Sequence, residues 1–286
     1  MGSGGSPMGC CLWSNVPGCV LLKVTDRMVE DTGLRETRDD RLYVQSVEKA
    51  FRVLEAFASA TGPMSLSQLA VASGLDKSGA QRMGHTLARL GYLEQVPGGL
   101  RPGHRILERS FDYLRTDPLV RRALPILAEL KRETQERVDL SRFDDVNMLY
   151  LVRLQSKRET FYAYLNGRRV PTFCTSGGRA VLSRLPRAQM LDVLQRSDRT
   201  KVTPKTTTAM ERVVRLVQQA QADGYAVALE EVLLGEIAIA AAVTDEIGRP
   251  VAAIHVAGSL GDWTAEDFTR RFAPLVVDAA HAASLA

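Results

Sequence analysis

Ser65–Gly91 reads SLSQLAVASGLDKSGAQRMGHTLARLG, and its punctuation is that of two short helices around a tight turn. Ser65 with Gln68 forms a capping box, which satisfies orphan amides at a helix start. Leu66, Leu69 and Ala70 give this first helix one apolar face. Gly74 supplies the permissive backbone for a stop, and Leu75 fills the angle of the turn. Asp76 is the expected N-cap of a second helix that runs to about Leu90 and is closed by Gly91. In it Ala80, Met83, Leu87 and Leu90 recur at spacings of three, four and three and share a face. The opposite face presents Lys77, Ser78, Gln81, Arg82, His85 and Arg89, side chains that donate to phosphates and to purine edges. Two helices so joined, the second basic and polar outward, describe a helix-turn-helix.

A basic face on a short helix is by itself equally well a solvated surface, so the flanks bear on the choice. Upstream, Val47, Ala50, Phe51, Leu54 and Phe57 predict an amphipathic helix packed across the pair. Downstream, Tyr92-Leu93-Glu94 and Leu100-Arg101 flank Pro97-Gly98-Gly99, a hairpin signal. Three helices and a hairpin make a winged helix-turn-helix over residues 41–103. Ser65 at the first helix start and Arg101 on the wing join the expected contacts to double-stranded DNA.

Charge supports this placement. The chain of 286 residues carries a net +4. Between Arg41 and Arg105 eight Lys or Arg face four acids, so the whole excess sits on the segment expected to meet a polyanion. No stretch approaches the ~20 apolar residues of a membrane helix. Three of the four cysteines lie in the first nineteen residues, which is no disulfide framework, and a reducing cytoplasm is the expected compartment. The length suits two modest domains.

Residues 1–40 read as a disordered extension, rich in Gly, Ser and Pro and then in alternating charge. Met28 offers an alternative start. Met1-Gly2 with Ser6 fits a myristoylation pattern and Cys10-Cys11 fit an acylation site, but neither is expected to be used. Cys10, Cys11 and Cys19 lack the spacing and the fourth ligand of a metal site. After the wing, RILERSFDYLRT predicts a helix, and Asp117-Pro118 restarts another whose stripe is Leu124, Leu127 and Leu130, with a kink expected at Pro125. From Arg137 the period changes. VDLSRF, MLYLVRL, FYAYL, YAVALE, IAIAAAV and PVAAIHV read as strands, interleaved with helices over Ser176–Leu185, Thr208–Asp223 and a last one capped by Thr264 with Asp267. Such a mixture is α+β or α/β.

YVQSVEKAFRVLEAF and LSQLAVASGLDKSGAQRMGHTLARLGYLE resemble the DNA-binding domain of IclR-type bacterial transcription regulators. The resemblance continues in order through RPGHRILE, CTSGGRAVLSRLP, DGYAVALEE and IAAAVTDEIGRPVAAIHVAG, from residue 41 to about 260. It implies an α+β protein: a winged helix-turn-helix, a linker helix over 104–122 that also forms a dimer contact, and a GAF-like α/β effector domain over 123–286. That domain would be an antiparallel sheet flanked by helices, in a homodimer or dimer of dimers. The family's effector pocket falls at Ser176-Gly177-Gly178 and on the strands near Glu230, Ala238 and His255. Glycines at a helix start also suit a tight turn, but free amides and the helix dipole there suit a carboxylate. In members that bind small keto acids, a pocket Asp, Cys and two Ser fall on Ala228, Ala238, His255 and Ala257. Three polar groups have become alanine, which predicts a roomier, more apolar pocket for a larger organic acid. RDDRLYVQSVEKAF resembles the branch controlling aromatic-acid catabolism, so a benzoate-like or ring-cleavage acid is the expected effector. His255 among apolar neighbours is either a satisfied core residue or a ligand contact.

Two other functions compete with this one. An enzyme would need Cys174 and His255 as nucleophile and base, yet no elbow, acid partner, P-loop, HExxH or GxSxG is present, and no cofactor is implied. A ligand-sensing adaptor would use the winged helix to bind protein. Counterion release separates the two kinds of winged helix, since only a DNA binder loses affinity steeply with salt.

Overall fold

The computed structural model describes residues 42–156 and 167–284. The expected disordered extension, 1–40, and the expected FYAYL strand, 161–165, lie outside the described residues. The chain divides into two compact units at Gly103/His104.

In the first unit, α1 (Gln45–Glu55) leads into a short 3-10 turn, followed by α2 (Leu66–Ser73), α3 (Lys77–Arg89) and a hairpin of β1 (Leu93–Val96) and β2 (Gly99–Pro102). The capping box closes as the spacing requires, with the Gln68 amide donating to Ser65 Oγ and the Ser65 amide to Gln68 Oε1. Gly74 ends α2 in the left-handed region at φ 63°. Asp76 caps α3, accepting from the Gly79 amide at 3.0 Å. Val53, Phe57, Leu69, Leu87, Leu93 and Leu100 form the core.

Two expected apolar faces are buried only in part, Ala80, Leu87 and Phe57 inward as periodicity puts them and other members exposed. On α1 the buried side chain is Val53, whereas Val47 and Phe51 are 52% and 58% exposed. On α3 the buried positions are Gly79, Ala80, Gly84 and Leu87, and Leu90 is 48% exposed. Gly84 replaces it because Leu100 of the wing fills that space; a Cβ on Gly84 would lie 3.0 Å from Leu100 Cδ1.

The second unit opens with α4 (Arg105–Thr116), which has no buried residue, and α5 (Pro118–Thr134), capped by Asp117. Leu119 and Val120 already belong to this unit's core, so its packing begins inside the 104–122 segment expected to be linker. Leu127 and Leu130 are buried as expected, but Ala123 takes the place given to Leu124, which is 43% exposed, and α5 runs through Pro125. The remaining elements are β3 (Arg137–Asp144), β4 (Asn147–Leu154), β5 (Arg169–Pro171), α6 (Ser176–Leu182), α7 (Arg187–Arg196), α8 (Met210–Asp223), β6 (Ala226–Leu229), β7 (Glu236–Thr244), β8 (Pro250–Ser259) and α9 (Ala265–Ala283). The sheet is antiparallel in the order β5-β4-β3-β8-β7-β6.

Both faces of the sheet are covered. Ile237, Ile239, Val243, Ile254, Val256, Val138 and Leu140 pack against α5 and α9, together with Phe268 and Phe272. The alternate residues face α6, with Met148, Tyr150, Ala226, Ala240 and Ala253 against Ala180 and Val181. A buried second face explains why charged strand residues here must be paired.

Candidate nucleic-acid interface and ligand cavity

On α3 the apolar side is turned inward, and Lys77, Ser78, Gln81, Arg82, His85 and Arg89 are all exposed. The helix is held from behind by a residue that sequence reasoning missed: Arg52 of α1 donates through Nη2 to the Gly74 carbonyl at 3.0 Å, bracing the turn between α2 and α3. Ser65 is committed to its capping box, and Arg101 grips Glu94 across the hairpin, Nη2 to Oε2 at 2.9 Å. As DNA contacts these two must act beside existing partners, unlike the α3 face.

In the second unit the strand register lays the α6 side of the sheet out in rows. One row runs Ala228, Ala238, Ala257, Arg137 across β6, β7, β8 and β3. The next runs Ala226, Ala240, His255, Asp139, Arg153, and a third Ala242, Ala253, Ser141, Tyr150. Small residues fill the β6–β7 side, where α6 sits close, and polar ones the β3–β4 side.

Those polar groups form a buried charge cluster. Asp139 accepts Arg137 Nε at 3.0 Å on one oxygen and Arg153 Nε at 2.9 Å on the other. Arg137 reaches over β8, above Ala257, and donates through Nη1 to Glu236 Oε2 of β7 at 2.5 Å. Burial works against the charge on Arg137, but Glu236 and Asp139 outweigh it and raise its pKa. The Arg153 guanidinium lies over the Tyr150 ring, 5.3 Å from its centroid. Burial, reinforced by Asp139, pushes the Tyr150 phenol up, so it stays a neutral donor. Separately, Arg179 of α6 binds Glu231 at both oxygens, 2.6 and 2.8 Å.

His255 lies within this face. Its Nε2 is 2.6 Å from Ser141 Oγ, its Nδ1 is 3.4 Å from Ser176 Oγ, and the Tyr150 ring is 5.5 Å away. Burial lowers its pKa to about 4, with Asp139 opposing and Arg137 and Arg153 assisting, so the ring is neutral. The core expectation for His255 holds, with both ring nitrogens in contact with serine hydroxyls. Cys174 lies apart, with Phe173, Leu182 and Leu194, and burial pushes its thiol up to about 12. Such a thiol offers no thiolate for catalysis.

Ser176, Ala228 and Ala238 meet at one cavity, lined also by Tyr150, Thr175, Glu230, Glu231 and Glu236. It is not the roomy apolar pocket expected. Its volume is about 20 Å³, enough for little more than one water. Arg137 crosses the space that Ala257 leaves clear, and three carboxylates form much of the wall. The glycines serve close packing here. The Gly178 amide donates to the Thr175 hydroxyl at 3.0 Å, capping α6. A Cβ at Gly178 would sit 1.9 Å from the Thr172 carbonyl oxygen, and one at Gly177 2.1 Å from His255 Cε1. The pair lets α6 approach β8 and the 3-10 turn before it.

Comparison with known proteins bears on both sites. The profile "IclR helix-turn-helix domain" matches residues 46–97 and "Bacterial transcriptional regulator IclR C-terminal" matches 111–285. The "Pca regulon regulatory protein" of Pseudomonas putida is 25% identical over 83% of this chain and 82% of its own length. The "p-hydroxybenzoate hydroxylase transcriptional activator" of Acinetobacter baylyi is 28% identical over 74% of this chain and 80% of its own. A crystal structure of an IclR homolog from Microbacterium hydrocarbonoxydans, complexed with 4-hydroxybenzoate, shares the fold with a TM-score of 0.69 and 24% identity, over 84% of this chain and 97% of that one. With both its DNA-binding and its C-terminal units matched in order, the chain belongs to the IclR family of bacterial DNA-binding transcriptional regulators.

Proposed function

We propose that operator binding by this regulator is modulated by a small carboxylic acid held between α6 and the sheet, and that the protein acts as a homodimer or a dimer of dimers. The observation that carries the reading is convergence. Ser176, Ala228 and Ala238, expected from three separate stretches of sequence, line one cavity beside buried arginine side chains of the kind that recognise carboxylates. The name of one relative, the p-hydroxybenzoate hydroxylase transcriptional activator, points toward aromatic acids, and a protein of this fold holds 4-hydroxybenzoate. A hydroxylated aromatic acid is therefore the class to test first. One recognition helix reads few base pairs, so useful specificity needs two copies. The uncovered apolar side chains on α1 (Val47, Phe51) and on α4 (Leu107, Phe111) each suit burial in such an assembly.

Thermal unfolding with benzoate, 4-hydroxybenzoate, pyruvate and acetate, and with 4-hydroxybenzamide as the neutral counterpart, tests the ligand class. A molecule that binds the folded state raises Tm. The expected result is a rise with at least one aromatic acid and none with the amide. No rise with any acid would remove the acid-responsive reading.

A further inference from the structure

We infer that Arg137 is the carboxylate seat of this cavity and that Glu236 holds that seat until an acid exchanges with it. The effector carboxylate takes the Arg137 guanidinium, and the Glu236 side chain turns out to solvent. This rests on the acid-responsive reading above and adds to it the recognising residue and the wall that moves.

Four observations support the exchange. The first is charge. Arg137 is paired with two carboxylates, Asp139 and Glu236. An incoming carboxylate replaces Glu236 charge for charge, so no buried cation is stranded during binding. The second is geometry: a guanidinium offers a planar fork that fits a carboxylate and does not distinguish a side chain from a ligand.

The third is how the wall is fastened. Glu231 is gripped at both oxygens by Arg179 and also accepts from the Thr207 amide at 2.8 Å. Glu230 Oε1 accepts from the Gly235 amide at 3.0 Å. Glu236 is joined to Arg137 through Oε2, and its side chain is the most exposed of the four, 11% against 6% for Arg137, 4% for Arg153 and 1% for Asp139. It begins β7 directly after Gly235, whose φ of 76° ends the loop from Glu230, so it can swing outward without opening the core. The fourth is space. The cavity of about 20 Å³ admits no aromatic ring, and removing the Glu236 side chain enlarges it where the seat is freed. Ala238 and Ala257 keep the path between them clear.

The competing view is that Arg137–Glu236 is a staple between strands. The two views differ in sign. Relief of an internal competitor raises apparent affinity by the inverse of the fraction of molecules whose seat is open. Calorimetric titration of full-length Glu236→Gln with 4-hydroxybenzoate and benzoate should therefore show binding about tenfold tighter than the parent. Glu236→Asp, whose shorter side chain reaches Arg137 less well, should tighten binding by less, and Arg137→Gln should abolish it. If the parent binds an acid and both Glu236 variants bind it equally or more weakly, the exchange is wrong. It is also overturned if neither Glu236 variant folds by circular dichroism, because the pair is then structural. If no acid binds the parent or any variant, the acid-responsive reading itself fails and the exchange fails with it.

Discussion

Acidification should destabilise the second unit through His255, by an amount that the structure sets. The imidazole is buried between β8 and α6, against Ser141, Ser176 and Tyr150. Burial first, helped by Arg137 and Arg153 and opposed by Asp139, lowers its pKa from 6.5 to about 4. A base whose folded pKa is depressed binds fewer protons folded than unfolded within that window. Its contribution to stability is therefore complete above about pH 6.5 and is lost as pH falls towards about 4. At about 1.4 kcal/mol per pKa unit, moving from about pH 8 to about pH 5 should lose about 2 kcal/mol through this group alone. Carboxylates also titrate there, so the quantity to measure is the difference between parent and His255→Gln. Urea unfolding at the two pH values gives it, provided the slope m is unchanged. The parent should lose about 2 kcal/mol more than the variant. Equal losses would mean that the ring is solvated or already charged, and would refute the account of this face.

Three further outcomes follow from particular contacts. Gly178→Ala drives a Cβ to 1.9 Å from the Thr172 carbonyl oxygen and should destabilise by about 1–3 kcal/mol or more in urea unfolding. Glu231→Gln leaves the buried Arg179 charge without its carboxylate and should cost about 3–5 kcal/mol, visible as a lower denaturant midpoint. Arg82→Ala removes an exposed donor early in α3 and should weaken binding to a selected duplex by about 1–3 kcal/mol in gel-shift titration, with less loss on random DNA. Equal losses on the two DNAs would make Arg82 a phosphate contact.

Features made by neighbouring residues were legible in the sequence. Ser65 with Gln68, Asp76, Asp117 and Thr264 all cap the helices expected of them, because a cap is a hydrogen bond within three residues. α7 was missed although Pro186 precedes it and Met190, Val193 and Leu194 carry a helical period. Periodicity identifies an apolar face but not what covers it, which is why Leu90, Leu124, Val47 and Phe51 were placed inward and are exposed. Family resemblance placed Ala228, Ala238 and Ala257 in what proves to be one row of the sheet. It did not foresee that Arg137, the next residue of that row, is tied to Glu236 across β8. The alternation of Arg137, Asp139 and Ser141 with Val138 and Leu140 was the available signal. Its meaning depends on both faces being buried, and that is fixed by α6 and α9 far along the chain.

The central claim is most directly tested by fluorescence anisotropy of a labelled duplex, selected from a random library by this protein, during titration with an acid that raises its Tm. The account predicts that DNA occupancy changes with a midpoint matching the acid's own Kd, and that Arg137→Gln binds the duplex normally but no longer responds to the acid. Occupancy that stays constant while calorimetry shows the acid bound would contradict it.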